Sequence, residues 1–299
     1  MPIPVIFDTD IGSDIDDTWA LAQLLKSPEL DVKLIVTDRD DTIYRTKLIC
    51  KMLEVANCTH LPVGMGCVQE HVYTRPRQAV WVEDYDLDDY TGALHKDGVD
   101  AIIQTIMDAP EPLTLICVGP MPNIGEALHR EPAIAERTHF VGMHGCVYKS
   151  RRGEGSFPEA NVKNDIPACQ KVFTAPWKSK VITPQDSCSF VQLQGEQYQA
   201  IRRSDDPLLK ALMDNYTIWA ENSSHDPEVS SSTLFDTVAV YLAYTTEHLL
   251  MENMGIRVAH DGLTTPDPDA QHMSVALDWT DLDAFHRILT DRLLSPTVQ

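Results

Sequence analysis

Short apolar runs alternate with amphipathic stretches along the first part of the chain. The run PVIFD is rich in β-branched residues and predicts a buried strand, and DDTWALAQLLKS after it has the apolar spacing of a helix. The alternation continues with a strand in LDVKLIVTD, a helix in DTIYRTKLICKMLEVAN and a short strand in LPVGMG. Strands that alternate with helices in this way predict an α/β fold, with a doubly wound, mostly parallel sheet flanked by helices.

The same alternation runs through the rest of the chain. Helices are predicted in VDAIIQTIMDA, NIGEALHREP, DIPACQKVFTA, residues 206–221 and TLFDTVAVYLAYTTEHLL, and strands in LTLICVG, THFVGMHG and SKVITP. A strand hairpin and a closing helix are predicted at the C-terminal end. No linker or repeat interrupts the pattern, so residues 1–299 are predicted to form a single domain. Residues 68–98 have no clear period, which predicts a functional flap or a mobile loop.

The charge balance excludes some classes of partner. The chain has 45 acidic and 24 basic residues, for a formal net charge of −21, and such a surface repels nucleic acid polymers and anionic membranes. No apolar run is long enough to span a membrane, and the N-terminus lacks the features of a signal peptide. The seven cysteines form no CxxC pair, which favours reduced thiols over a zinc site. We therefore expect a cytoplasmic protein.

An acidic segment, FDTDIGSDIDD, follows the first predicted strand. Its five aspartates are Asp8, Asp10, Asp14, Asp16 and Asp17. Ligands of parallel α/β sheets bind beyond the carboxyl ends of the strands, where this segment lies. Several carboxylates in one turn indicate a hard divalent cation, because Ca²⁺ and Mg²⁺ prefer oxygen ligands. The alternative is a solvated, acidic helix start that suits the helix dipole.

A strand that ends in Asp-x-Asp also begins the haloacid dehalogenase-like phosphatases. Asp8 would then be the nucleophile and Asp10 the acid or base, with magnesium bound. Gly12 stands where that family usually has Thr or Val, and the acids continue into the helix. No lysine-bearing loop follows in suitable order, so this alternative is the weaker one.

The segment VIFDTDIGSDIDDTWALAQLL resembles the N-terminal signature of the inosine-uridine type nucleoside hydrolases. With two extra residues, Asp16 and Asp17 match the final Asp pair of that signature, and Asp14 is additional. Further segments resemble the same family in the same order: IVTDRDDTIYRTKLICKMLEVAN, LTLICVGPMPNIGEAL, PEANVKNDIPACQKVF, ITPQDSCSFVQLQGEQYQAI and TLFDTVAVYLAY. The resemblance implies calcium-dependent hydrolysis of the N-glycosidic bond of a ribonucleoside, which gives ribose and a free base in nucleoside catabolism or salvage.

The resemblance also implies the metal ligands and the base. Ca²⁺ would be held by Asp10, Asp17, the main-chain carbonyl of Pro122, and Asp236. Proline replaces the usual Thr at 122 but keeps its carbonyl oxygen. The ion would also hold a water and the 2′- and 3′-hydroxyls of ribose. Asp10 would take the proton of that water as general base.

The resemblance assigns the remaining contacts to the nucleoside. Asp16 would accept from a ribose hydroxyl, with Asn161 beside it, and Glu159 and Met143 would line the 5′ side. Asp41 would lie near the leaving base. Relatives are mostly dimers or tetramers, which implies a homo-oligomer.

The sequence departs from the family at the residue that protonates the leaving base in many relatives. Phe235 stands where many relatives have a His just before the C-terminal Asp. His225 in the polar loop before it could supply the proton, or an aromatic residue such as Trp81, Tyr216 or Trp219 could stack on the base. The third reading is a protein that binds calcium and ribose without catalysis. The preferred base, and whether common nucleosides are substrates, stay open at this point.

Overall fold

The computed structural model describes residues 1–68, 75–221 and 223–299. The strands in this part of the chain are β1 (Ile3–Thr9), β2 (Leu30–Thr37), β3 (Val63–Gly64), β4 (Leu94–His95), β5 (Leu113–Cys117), β6 (Thr138–Gly142), β7 (Lys149–Ser150), β8 (Gly153–Glu154), β9 (Ser179–Ile182), β10 (Leu249–Val258), β11 (Thr264–Pro266) and β12 (His272–Trp279). The α-helices are α1 (Asp16–Leu25), α2 (Thr42–Val55), α3 (Gly98–Asp108), α4 (Pro122–Arg130), α5 (Ala160–Asn164), α6 (Ile166–Thr174), α7 (Gln185–Cys188), α8 (Gly195–Arg202), α9 (Pro207–Ala220), α10 (Thr237–Leu242) and α11 (Leu282–Leu294).

The central sheet has ten strands in the order β11-β10-β12-β9-β6-β5-β1-β2-β3-β4. The pairings from β12 to β4 are parallel, and only β10 and β11 run antiparallel to their neighbours. The predicted fold class, a doubly wound and mostly parallel sheet, is confirmed. Strands from both ends of the chain join this sheet.

The chain reverses its direction across the sheet between β1 and β5. From β1 the chain builds outward through β2, β3 and β4, and β5 then starts the other half on the opposite side of β1. Such a switch point leaves a crevice beyond the carboxyl ends of the two strands, because the following connections diverge to opposite faces. The acidic segment that follows β1 therefore opens into this crevice.

Helices cover both faces of the sheet and bury two apolar layers. One layer packs α1, α2 and α9 against the sheet through side chains such as Trp19 and Tyr216. The other packs α3, α4 and α6 against the opposite face. A sheet buried on both faces explains why its strands are near-continuous apolar runs instead of alternating ones.

The predicted helix in TLFDTVAVYLAYTTEHLL is wrong in its length. Helix α10 covers only Thr237–Leu242, and Leu249 already begins β10. Every residue of α10 is buried, so no polar face marks where the helix stops. His248, with φ of 65°, turns the chain out of the helical direction just before β10.

The predicted flap over residues 68–98 lies partly outside the described residues, which exclude 69–74. Its described part contains 3₁₀ turns at Ala79–Val82 and Leu87–Asp89 and the edge strand β4. At the other end of the chain, the predicted hairpin and closing helix are present as β10, β12 and α11. No helix in the described part of the chain is long and apolar enough to cross a membrane.

Candidate active site

A cavity of about 460 Å³ opens at the switch point of the sheet. Asp10 follows β1, Val118 follows β5 and Met143 follows β6, so the wall comes from the carboxyl ends of adjacent strands. The sequence-predicted residues that line it are Asp10, Asp16, Asp17, Met143, Glu159, Asn161, Phe235 and Asp236. Residues more than 200 positions apart in the chain therefore meet at one site.

Three buried carboxylates meet in the cavity. One oxygen from each of Asp16, Asp17 and Asp236 lies within 4.8 Å of the other two. Burial raises the pKa of each carboxyl well above its usual range, and repulsion from neighbouring aspartates, including Asp10 and Asp14, raises it further. Thr9 Oγ1 donates a hydrogen bond of 2.5 Å to Asp17 Oδ1. Carboxylates gathered at this spacing need protons or a cation, and their oxygen-only donor set fits a hard divalent cation.

Asp10 is paired with an arginine that the sequence analysis did not identify. Arg39 Nη2 donates to Asp10 Oδ2 at 2.9 Å and Arg39 Nε donates to the same oxygen at 3.2 Å. Arg39 is 3% exposed, so this ion pair is almost fully removed from water. The pair fixes Oδ2 of Asp10 and gives the acidic segment a basic partner from the turn after β2.

The backbone that carries Arg39 is strained. Arg39 and Asp40 have φ of 39° and 51°, the left-handed region that side chains other than glycine rarely adopt. Such a residue costs about 1–3 kcal/mol, so the surrounding contacts must hold it in place. The turn after β2 thus directs Arg39 toward the end of β1.

Arg45, from α2, holds the acidic segment in position. Its Nη1 donates to the carbonyl oxygen of Ile11 at 2.7 Å and also to that of Asp10, and its Nη2 donates to Ser13 Oγ at 2.8 Å. The segment turns at Gly12, whose φ is 103°, where a Cβ would lie 2.7 Å from side-chain atoms of α2. A buried guanidinium that bonds successive carbonyls stabilises this turn against the repulsion of its aspartates.

Asp8 lies behind the cavity and does not line it. It is fully buried, accepts from Asn123 Nδ2 at 2.7 Å and contacts the Cys117 thiol. Burial raises its pKa to about 7. A phosphatase nucleophile must reach its substrate, so the position of Asp8 rules out the haloacid dehalogenase alternative.

Glu159, Asn161 and Met143 form the wall of the cavity opposite the aspartates. The Glu159 carboxylate caps α5 by accepting from the backbone N–H groups of Asn161 at 2.9 Å and Val162 at 3.3 Å, and it also accepts from the N–H of Gly145 at 3.1 Å. Burial raises its pKa to about 7. Asn161 Nδ2 donates to the carbonyls of Val118 and Met143 at 2.8 and 3.0 Å. These bonds fix the side chains before any ligand arrives.

Other predicted residues lie outside this cavity or at its edge. Asp41 is exposed and caps α2 by accepting from the N–H of Tyr44, and Trp81 packs beside α2 under Lys51. Pro122 begins α4 and is not among the side chains that line the cavity. His225 lines an adjoining cavity, with its ring 5.4 Å from that of Trp219.

The cavity wall also carries residues that the sequence analysis missed. They are Asp14, named there only as an additional acid, with Arg39, Arg75, Arg77, Arg152, Asn164 and Gln185. The segment DRDD after the second predicted strand could have indicated Arg39, since polar residues at that position face the same crevice. The other arginines belong to loops whose course the periodicity does not define.

The amino-acid sequence also matches a family profile. The profile described as "Inosine-uridine preferring nucleoside hydrolase" matches residues 5–287. The chain belongs to the inosine-uridine preferring nucleoside hydrolase family. The resemblance inferred from the acidic segment and the later motifs is therefore confirmed.

Curated nucleoside hydrolases match over part of their length. The chain is 33% identical over 182 residues to the non-specific ribonucleoside hydrolase RihC of Salmonella paratyphi B, with 56% of each protein covered. It is 32% identical over 194 residues to RihC of Klebsiella pneumoniae, with 58% of each covered. These matches span a little more than half of the curated relatives.

Solved nucleoside hydrolase structures share the fold. A plant nucleoside hydrolase superimposes with a TM-score of 0.82 at 22% identity, over 99% of this chain and 100% of the other. A purine-preferring ribonucleoside hydrolase from Gardnerella vaginalis gives a TM-score of 0.77 at 20% identity, over 97% and 98%. At these identities the similarity establishes the architecture of this chain and not its substrate.

The buried acids predict an unusual pH dependence of stability for the metal-free protein. The folded pKa of Glu159 is about 7, above the usual 4.5, so the unfolded chain has already released this proton at neutral pH while the folded chain still holds part of it. A raised carboxyl pKa contributes stability that is complete below the unfolded pKa and is lost as pH rises through the folded pKa. Above pH 6.5, histidines with lowered pKa such as His144 no longer oppose this trend.

We therefore expect the midpoint of thermal unfolding to fall between pH 6.5 and about 8 in the presence of a chelator. The drop should shrink in Glu159→Gln, which carries no proton to lose. It should also shrink with saturating Ca²⁺, since a cation replaces protons on the acids. A midpoint that rises over this interval would contradict the pKa direction.

Proposed function

We propose that this protein is a calcium-dependent ribonucleoside hydrolase, which cleaves the N-glycosidic bond to give ribose and a free base. The observation that carries the proposal is the meeting of Asp16, Asp17 and Asp236 beside Asp10 in one buried cavity. Family membership supports the reaction class, and the oxygen-only donors support a hard cation.

Asp17 and Asp236 are the proposed cation ligands, with Asp10 and the Pro122 carbonyl completing the set by family resemblance. Asp16 lies in the same group of carboxylates, so it can serve the cation or accept from a ribose hydroxyl beside it. A bound cation would supply Lewis-acid chemistry to the hydroxyls of the ribose and to the attacking water. All these residues lie at, or next to, an end of a strand or a helix.

Asp10 is the proposed general base. Its Oδ2 is held by Arg39, which leaves Oδ1 to accept the proton of the water. Arg39 is a positioning residue in this account, because it fixes the plane of the carboxylate. The carboxylates around C1′ favour the positive charge that develops there in an oxocarbenium-like transition state.

Asn161 and Glu159 are the proposed contacts for the sugar on its 5′ side. Asn161 is fixed by its bonds to the carbonyls of Val118 and Met143, so it needs little reorganisation when ribose binds. Glu159 keeps its carboxylate directed into the cavity while it caps α5.

The leaving base has candidate partners at the border of the two cavities. Phe235 lines both cavities and offers an apolar face. His225 is an ionisable donor on the wall of the adjoining cavity, next to Trp219. We propose that His225 or a water that it holds protonates the base.

The proposal is tested with a panel of purine and pyrimidine nucleosides, scored by release of reducing sugar in Ca²⁺ and after chelation. We expect turnover with Ca²⁺ and a loss of about 10²-fold or more without it, since the cation contributes several kcal/mol to the transition state. Asp291→Asn is the control for the loss of a carboxylate, because this aspartate is exposed on α11 and does not line the cavity. Its rate should stay within about twofold of the wild type.

Calorimetry distinguishes an enzyme from a protein that binds nucleosides without cleaving them. The second possibility arises because Phe235 replaces the His of many relatives. Nucleoside binding in Ca²⁺ with no sugar released from any member would overturn the hydrolase proposal and support the binding protein.

A reducing compartment such as the cytoplasm suits the seven cysteines, which are all unpaired. Assembly as a dimer or tetramer stays a prediction.

A further inference from the structure

A second cavity, of about 940 Å³, adjoins the first. The two share wall residues, among them Glu159, Asn164 and Phe235, so a ligand in the first can extend into the second. A nucleoside held by the aspartates and Asn161, with its base toward Phe235 and His225, leaves room for a further group in a space of about 940 Å³. The second cavity can therefore hold a substrate that carries a further group beyond the nucleoside.

Three basic side chains, Arg151, Arg152 and Lys163, line the second cavity together with Arg77, which lies over the Trp219 ring. Arg151 and Arg152 lie in the turn between β7 and β8, and Lys163 lies on α5. The chain as a whole has a net charge of −21, so three cations at one cavity run against its composition. Polar uncharged side chains such as Ser232 and Thr233 complete this part of the wall.

These cations have no acidic partner in the described residues. Arg151 Nη1 donates to Thr233 Oγ1, and the Arg152 guanidinium lies 5.5 Å from the ring centre of Phe157. No salt bridge between described residues includes Arg151, Arg152 or Lys163. Neutral contacts hold the arginines in place, and their charge stays available for a ligand.

The position of the cations indicates which end of the substrate they would meet. Lys163 lies on the same short helix as Asn161, and Glu159 caps that helix. Glu159 and Asn161 are the proposed 5′ contacts of the ribose. The basic side chains therefore lie beyond the 5′ end of the sugar.

We propose that the substrate of this site is a ribonucleoside 5′-phosphate, with its phosphate held by Arg151, Arg152 and Lys163. This inference rests on the proposed function. Arginine suits a phosphate because its planar guanidinium donates two parallel hydrogen bonds, and lysine adds a point charge. Water then supplies a hydroxyl to C1′ and a proton to the base, the C1′–N bond breaks, and the products are ribose 5-phosphate and the free base.

The decisive measurement is the ratio of kcat/KM for a nucleoside 5′-monophosphate to kcat/KM for the same nucleoside, with Ca²⁺ present. We expect a ratio of about ten or more, because a charge-assisted phosphate contact is worth at least one factor of ten. Arg152→Ala with Lys163→Ala should lower that ratio by about tenfold, and Arg152→Lys should restore part of it. Arg203→Ala, an exposed change at the C-cap of α8, is the matched control and should leave the ratio unchanged.

A third substrate distinguishes a phosphate on the sugar from an acid on the base. A pyrimidine nucleoside with a carboxylate on its base ring should react no faster than the uncharged nucleoside. If it is preferred over the monophosphate, the cations serve the base and the 5′ assignment is overturned. A ratio near one for the monophosphate, unchanged in the double variant, also overturns it.

Binding of the product keeps the test independent of the hydrolase proposal. Calorimetry with ribose 5-phosphate and with ribose, both in Ca²⁺, should show about tenfold tighter binding of the phosphate ester, lost in the double variant. Failure of the hydrolase proposal appears as no turnover of any substrate, even if this preference persists. Failure of the phosphate inference appears as turnover of nucleosides with equal binding of the two sugars.

Discussion

Asp10→Asn is expected to lower kcat by about 10³-fold, since general base catalysis contributes about 10²–10⁴-fold. Asparagine has nearly the same shape, and its amide oxygen can still accept from Arg39, which donates to Asp10 Oδ2 in the wild type. The variant therefore removes the base and keeps the contact that positions it. Single-turnover rates with a good nucleoside measure the effect, and circular dichroism checks the fold.

Arg39→Lys is the companion variant for this prediction. Lysine keeps a positive charge but cannot form the two bonds that Arg39 directs to one oxygen of Asp10. A positioning residue should affect kcat more than KM and should shift the pH profile less than Asp10→Asn does. Activity of Asp10→Asn within tenfold of the wild type would remove Asp10 from the mechanism.

Arg45→Met is expected to lower the free energy of unfolding by about 3–5 kcal/mol, the usual cost of removing one partner of a buried ion pair. Arg45 is 2% exposed, and its guanidinium bonds the carbonyls of Asp10 and Ile11 as well as Asp40. Methionine fills similar volume but donates nothing, so the buried carbonyls lose their donor. Urea unfolding measures the change.

The control for this variant is Arg287→Met on α11. Arg287 is 60% exposed and contacts Asp281 only at 3.9 Å, so its loss should change stability by less than about 0.5 kcal/mol. A decrease below about 1 kcal/mol for Arg45→Met would show that other contacts hold the acidic segment. A full decrease in both variants would point to a general effect of lost surface charge.

The helices and strands of the fold could be predicted because the spacing of buried apolar residues repeats within each short segment. The run in β1 and the amphipathic pattern in α2 each depend on a few neighbouring residues, and their alternation defines a parallel sheet. The pattern failed at α10, where burial on every side removes the polar face that would mark the end of the helix. It also omitted short helices such as α5 and α7, which follow loop conformation more than apolar period.

The candidate site also has a part that the sequence predicts and a part that only the structure shows. The sequence by itself determined the α/β fold class, the family and the acidic segment after β1, because each is written in neighbouring residues. The family resemblance implied that Asp236 meets Asp17, and the structure brings both together with Asp16. Only the tertiary structure decided that Arg39 pairs with Asp10 and that basic side chains line a second cavity beside that of the aspartates. Those contacts join residues that are far apart in the chain. Which side chains meet across the switch point depends on the order of the strands in the sheet, which local patterns do not contain.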